Sequence, residues 1–169
     1  LYKSGYLRIE PLLHGGGQEA GFRSSTENVA AVVAMAKAMR MEMERMKTEV
    51  SQLAALKNDF IAWLTEISGV TVYSSTEGAP HICCFSVQKQ KGEVFVHALE
   101  AEEIYISTTS ACSSKSPTSD GTLMAMKIPN KEAKGAVRFS FNYDTSASEM
   151  VKVKQAITRV IKNLNEVVK

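Results

Sequence analysis

From Thr26 to Ile67 neither proline nor glycine interrupts the chain, and helix formers dominate. Such a stretch predicts one long helical segment. Ser25 or Thr26 can cap its start, Glu27 suits the positive end of the helix dipole, and Gly69 lies just past its end. Forty residues is long for one globular helix, so a kink or break is expected near Thr48–Ser51. Met35, Met39, Met43 and Met46 recur at helical spacing and predict a soft core-facing stripe, in preference to a thioether metal site.

Around this segment the chain is mixed. The first 25 residues read as short strands and the glycine loop Gly15-Gly16-Gly17, and the opening Leu1-Tyr2-Lys3 resembles the interior of a β-rich stretch cut from a longer polypeptide. His81–Val87 is an apolar run of strand type. Gly92–Glu103 reads as a short helix with Val94, Phe95, Ala98 and Leu99 inward, and Ile104–Ile106 as a strand. Ser107–Asp120 forms a small polar loop, Thr122–Lys127 a brief helix, and Ala136–Phe141 a further strand. The last helix opens on the capping box Ser146-x-x-Glu149 and continues through Met150, Val153, Ile157, Val160, Ile161, Leu164 and Val168. The fold class is therefore α/β, with a small sheet packed by long helices.

Charge excludes some functions. Twenty Lys and Arg against 18 Asp and Glu leave +2, too even a balance to make nucleic acid or an anionic membrane the main partner. No apolar run approaches the roughly 20 residues that span a bilayer. Three cysteines, two of them adjacent, form no secreted disulfide framework, so the chain reads as cytoplasmic with reduced thiols. No cysteine or histidine pair has metal-ligand spacing, so no metal site is expected.

Four segments can carry chemistry. Cys112 sits among small hydroxyl residues in Ser107–Ser116, with Lys115 nearby; the residues alone leave open a nucleophilic thiolate or an incidental surface thiol. Cys83 and Cys84 lie inside an apolar strand and read as small buried hydrophobes on opposite faces. Arg138 interrupts a strand otherwise fit for burial, and its fork suits a carboxylate, either the protein's own or a ligand's. His14, the glycines, Arg23 and Thr26 form a glycine-rich loop entering a helix, either a phosphate-binding turn or a plain one.

Taken together, these segments resemble the C-terminal part of pyridoxal-phosphate-dependent cysteine desulfurases of the nitrogenase and iron–sulfur assembly type, in the class V aminotransferase superfamily. Arg8-Ile9-Glu10-Pro11, His14-Gly15-Gly16-Gly17-Gln18-Glu19 and Arg23-Ser24-x-Thr26-Glu27-Asn28-Val29 resemble the loop before that family's linking helix. Ser110-Ala111-Cys112-Ser113-Ser114 resembles its catalytic cysteine motif and Arg138-Phe139-Ser140-Phe141 its substrate-binding motif. The 26-residue step from Cys112 to Arg138 suits the subgroup with the long cysteine loop.

The resemblance implies a fold type I small domain over residues 26–169, preceded in 1–25 by the end of the cofactor domain and a crossing glycine loop. It implies that Cys112 takes sulfur from L-cysteine as a persulfide, giving alanine, and that Arg138 holds the substrate carboxylate. Thr26 would reach the cofactor phosphate of the other subunit of a homodimer, with His14, Gly16, Gly17 and Arg23 shaping that loop. The sulfur would pass to an acceptor such as an iron–sulfur scaffold or a transfer-RNA-thiolation enzyme. The family's Schiff-base lysine falls before Leu1, so these residues alone are expected to be inactive. Two departures stand out: the family has Gly where this chain has Ser25, and Gly where Asn142 follows Phe141. Two other readings remain beside the desulfurase: a stand-alone sulfur-acceptor or partner-docking module, and a selenocysteine lyase-like enzyme.

Overall fold

The computed structural model describes residues 3–109 and 121–167. The chain forms two compact units, Leu1–Glu44 and Arg45–Lys169.

In the first unit the described residues before 29 contain no strand, against expectation. Their regular structure is a single 3₁₀ turn, Glu19–Gly21, and the rest is loop. Strand-like composition was not enough, because a strand needs a partner ladder for its amides and carbonyls. Helix α1 (Val29–Thr65) begins here, three residues later than the nearest expected cap. Asn28 is the cap: its Oδ1 accepts a hydrogen bond from the Ala31 amide at 3.0 Å. Ser25 cannot serve, since its φ of 109° points the chain away from a helix entry.

α1 runs unbroken through Thr48–Ser51, so the expected kink is absent. Nothing in that stretch removes an amide or adds ring strain. The methionine stripe is a second correction: Met35, Met39, Met43 and Met46 are half or more exposed. Positions 29, 32, 36, 39, 43, 46, 50, 53, 57, 60 and 64 follow one heptad seam. Along it Leu53, Lys57, Phe60 and Leu64 are buried, whereas Val29, Val32, Met39, Met43 and Met46 lie open. After Thr65 the chain leaves the helix through turns at Glu66 and Ile67, and Gly69 takes φ +83° before the first strand.

The second unit is built on a four-stranded antiparallel sheet, ordered β1 (Val70–Val72), β2 (Ile82–Val87), β4 (Ala136–Ser140) and β3 (Ser107–Thr108). On one face Cys83, Phe85, Val87, Val137, Phe139 and Phe141 pack with the C-terminal half of α1, with α2 (Gly92–Glu100) and with α5 (Ala147–Val167). Phe60 is central to this layer: its ring lies 5.0 Å from that of Phe139, 5.6 Å from Phe141, 5.7 Å from Trp63 and 6.1 Å from Phe85. On the other face a smaller cluster joins Leu123 of α3 (Gly121–Ala125), Ala133 of α4 (Asn130–Ala133) and Ala136 of β4.

Several local expectations shift. The strand at Ile104–Ile106 does not form; pairing with β4 selects Ser107 and Thr108 instead. α2 is shorter than expected and exposes Val94, while Phe95, Val96 and Leu99 face the core. The capping box is present as expected. The Ser146 amide donates to Glu149 Oε2 at 2.7 Å, and the Glu149 amide to Ser146 Oγ at 3.2 Å. The Ser146 amide and then the Ser146 hydroxyl, each donating to Glu149 Oε2 at 2.7 Å, hold that carboxyl below its usual range. Asn142, where the resemblance implied a glycine, builds an Asx turn: its Oδ1 accepts from the Asp144 amide at 2.9 Å and from Thr145 Oγ1 at 3.1 Å.

Two glycines hold α2 against the sheet. A Cβ on Gly92 would stand 3.0 Å from the Ala136 carbonyl oxygen, and one on Gly135 would stand 2.8 Å from the Gln90 carbonyl oxygen. The Gly92 amide donates to the Lys134 carbonyl across this crossing, at 3.2 Å.

Candidate functional site

The two units carry separate groups of candidate residues. In the first, the Ser24 amide donates to the Leu13 carbonyl at 3.2 Å and folds the glycine loop back on itself. Gly15 permits that closure, since a Cβ there would stand 3.1 Å from Ser24 Cβ. The result is a shallow hollow of about 540 Å³ lined by His14, Gly15, Gly16, Ser24, Ser25 and Thr26 among others.

Arg23 donates from Nη1 to the carbonyls of Ser25 (3.2 Å) and Thr26 (3.1 Å), fixing the approach to α1 while placing its charge beside the hollow. Gln18 Oε1 accepts the Ser25 amide at 3.3 Å. Among the described residues of this unit Ser24 is the one buried polar residue, and it was not singled out from the sequence. Its signal, a hydroxyl between an arginine and a capped helix, is too common to notice without the fold.

The hollow has what an anionic phosphate ester needs. Glycine backbone allows close approach, the exposed Thr26 hydroxyl has no hydrogen-bond partner among the described residues, and a guanidinium stands alongside. Of the expected loop residues, His14, Gly16 and Thr26 line the hollow, whereas Arg23 lies outside the lining and bonds to the Ser25 and Thr26 carbonyls. Gly17, at φ +77°, turns the chain just outside the lining.

In the second unit Arg138 sits in the middle of β4, opposite Cys84 on β2 and opposite Ser107 on β3. It is exposed, while Val137 and Phe139 on either side are buried in the core. Strand alternation alone sets this: the residue between two core-facing neighbours must face the opposite way. Among the described residues Arg138 joins no ion pair, so the structural pairing left open by the sequence is not made there. Cys112 lies outside the described residues.

Cys83 points into the core and is fully buried; Cys84 is half-buried on the Arg138 face. The opposite faces expected of the pair are observed, and the full burial only for the first. Loss of water pushes the Cys83 thiol up to about 12, with Cys84 adding to the rise and Lys57 opposing it. Such a thiol is no nucleophile at neutral pH.

Lys57 was also missed. It is buried on the α1 seam, and its Nζ donates to the carbonyls of Gly78 (3.1 Å) and Ala79 (2.9 Å). Among the described residues no group of three His, Cys, Asp or Glu is placed to hold a metal, and no helix is long and apolar enough to cross a membrane.

Comparison with known proteins decides the family. The aminotransferase class-V model matches residues 6–153. The chain belongs to the aminotransferase class-V family. Within it, the chain is 44% identical over 151 residues to a NifS/IcsS protein homolog of Lactobacillus delbrueckii subsp. bulgaricus, covering 88% of this chain and 39% of that one. It is 32% identical over 169 residues to the cysteine desulfurase IscS of Dictyoglomus turgidum, covering 99% of this chain and 43% of the other. A solved NifS-like protein superposes with a TM-score of 0.76 at 25% identity, over 97% of this chain and 41% of its own. A NifS-like protein from Rickettsia africae shares the fold with a TM-score of 0.77 at 18% identity, over 92% of this chain and 41% of its own. This class-V chain thus spans about two fifths of the length of the curated relatives it matches. Its mixed α/β architecture is that of the solved NifS-like proteins.

Proposed function

We propose that this chain is the C-terminal part of a cysteine desulfurase that moves sulfur from L-cysteine to Cys112 and releases alanine. The observation that carries the reading is Arg138: an exposed guanidinium in mid-strand, unpaired with any carboxylate among the described residues, on a class-V domain whose relatives are named cysteine desulfurases. An arginine so placed suits bidentate capture of an α-carboxylate.

Pyridoxal phosphate, when bound, supplies the electron sink that lets the substrate carbon–sulfur bond break. Thr26 would reach the cofactor phosphate of the partner subunit in a homodimer, with His14, Gly16, Gly17 and Arg23 shaping the loop that carries it. Arg138 orients the substrate. The Cys112 thiolate attacks the substrate sulfur, a sulfur–sulfur bond forms as the carbon–sulfur bond breaks, and the bonding pair stays on carbon, which is protonated to give alanine. The persulfide on Cys112 then passes its outer sulfur to an acceptor protein for iron–sulfur cluster or thio-cofactor assembly, in the cytoplasm. Residues 1–25 are the end of the cofactor domain and 26–169 the small domain. These 169 residues by themselves are inactive, since no lysine among them stands in the family's Schiff-base context.

The test is to feed the complete protein L-cysteine and map bound sulfur by mass spectrometry. One alanine per sulfur, with the sulfur on the Cys112 peptide, is expected. Unchanged alanine release by Cys112→Ser, or sulfur carried elsewhere, overturns the reading.

A further inference from the structure

Away from both groups of candidate residues, the second unit has a hollow of about 670 Å³ at one end of the sheet. Its walls are the turn after β2 and the segment from α4 to β4. Four lysines, Lys89, Lys91, Lys131 and Lys134, line it with a single carboxylate, Glu132. All four lysines are exposed, and among the described residues none enters an ion pair. The chain as a whole carries only +2, so this is a local concentration of charge.

A second observation lies in the same wall. The Nε2 of Gln90 is buried and has no hydrogen-bond partner among the described residues. A buried amide donor without an acceptor is costly and rare in native proteins.

We propose that this hollow is a docking site for an acidic segment of a partner protein. Four lysines spread around a hollow of this size match several carboxylates on one chain segment better than a single inorganic anion. Glu132 within the lining repels a uniform row of phosphates but tolerates a peptide that alternates carboxylates with neutral positions, which disfavours RNA. Lysines on flexible stems act here as point charges that steer encounter and fix polarity, so binding weakens with salt. The site needs none of Cys112, Arg138 or Thr26.

The experiment uses the complete protein and fluorescence anisotropy with a labelled glutamate-rich hexapeptide. Comparators are a single-stranded RNA of matched charge and inorganic phosphate. Saturable peptide binding that declines with added salt is expected. The triple reversal Lys89→Glu, Lys131→Glu, Lys134→Glu should weaken it about tenfold or more, whereas Lys162→Glu on α5 should leave it unchanged. Circular dichroism reports whether the triple variant folds; if it does not, the pair Lys89→Ala and Lys134→Ala is read instead, with a weaker affinity and a shallower salt dependence expected. Equal binding by these variants and Lys162→Glu overturns the proposal. So does tighter binding of the RNA, or competition by inorganic phosphate alone that matches the peptide.

Discussion

Cys84 and Arg138 are directly opposed across the β2–β4 ladder, and Ser107 flanks Arg138 from β3. Cross-strand neighbours of this kind have Cβ atoms about 5 Å apart, so the guanidinium rises between a small thiol and a small hydroxyl. Neither neighbour is bulky enough to cover it, and neither carries a carboxylate.

That position gives a kinetic expectation in the complete enzyme. Arg138→Ala should lower kcat/KM for L-cysteine by about 30- to 100-fold, mainly through KM, as expected for losing a charged hydrogen-bonded clamp. Cofactor occupancy, read from its visible absorbance, should barely change. Arg138→Lys should recover only part of the loss, because an ammonium cannot pair with both oxygens. An unchanged KM in Arg138→Ala would return the residue to a structural role.

Cys83 gives a pH dependence. Its folded-state value, about 12, lies above the unfolded 9.0, so its contribution to stability is complete below pH 9 and is lost as pH climbs toward 12. Within that window this one group should remove about 1.4 kcal/mol per pH unit. Urea titrations of wild type and Cys83→Ala between pH 8 and about 11 would show it as a steeper decline in wild type. At neutral pH, iodoacetamide should label Cys112 well before Cys83; equal labelling would contradict both assignments.

Lys57 is tested by two substitutions. Lys57→Ala leaves the Gly78 and Ala79 carbonyls without their donor and opens a gap on the α1 seam, for a loss of about 3 kcal/mol. Lys57→Met keeps most of the packing and should lose less. If both shift the urea midpoint equally, loss of the donor to the two carbonyls and not packing sets the effect.

Ser25 occupies a backbone region that favours glycine, at φ 109°. Ser25→Gly should therefore stabilise the loop by about 1 kcal/mol, while Ser25→Ala should not. Thermal unfolding of the two variants separates them; an equal response would mean that no strain resides there.

Local features were legible in the sequence, and features set by partners were not. The capping box at Ser146 and Glu149, the strand through Cys83 and the strand around Arg138 each depend on a few adjacent residues. The methionine stripe misled because its spacing fixes a face of α1 without saying whether anything packs on it. Ile104–Ile106 looked more like a strand than Ser107–Thr108, but the ladder with β4 chose the polar pair. In the candidate sites, residue type marked Arg138, Arg23 and Thr26. Ser24, Gln18 and Lys57 matter only through chain segments that folding brings to them.

The close crossing at Gly92 and Gly135 bears on how the lysine-lined hollow can diversify. A Cβ at Gly135 would meet the Gln90 carbonyl at 2.8 Å and one at Gly92 the Ala136 carbonyl at 3.0 Å, so exchange at either position needs the backbone to shift. The lysines around them project from the same backbone yet carry none of its packing. Selection can therefore rewrite the charges from one lineage to the next, changing which partner is admitted, while the wall that presents them stays as it is.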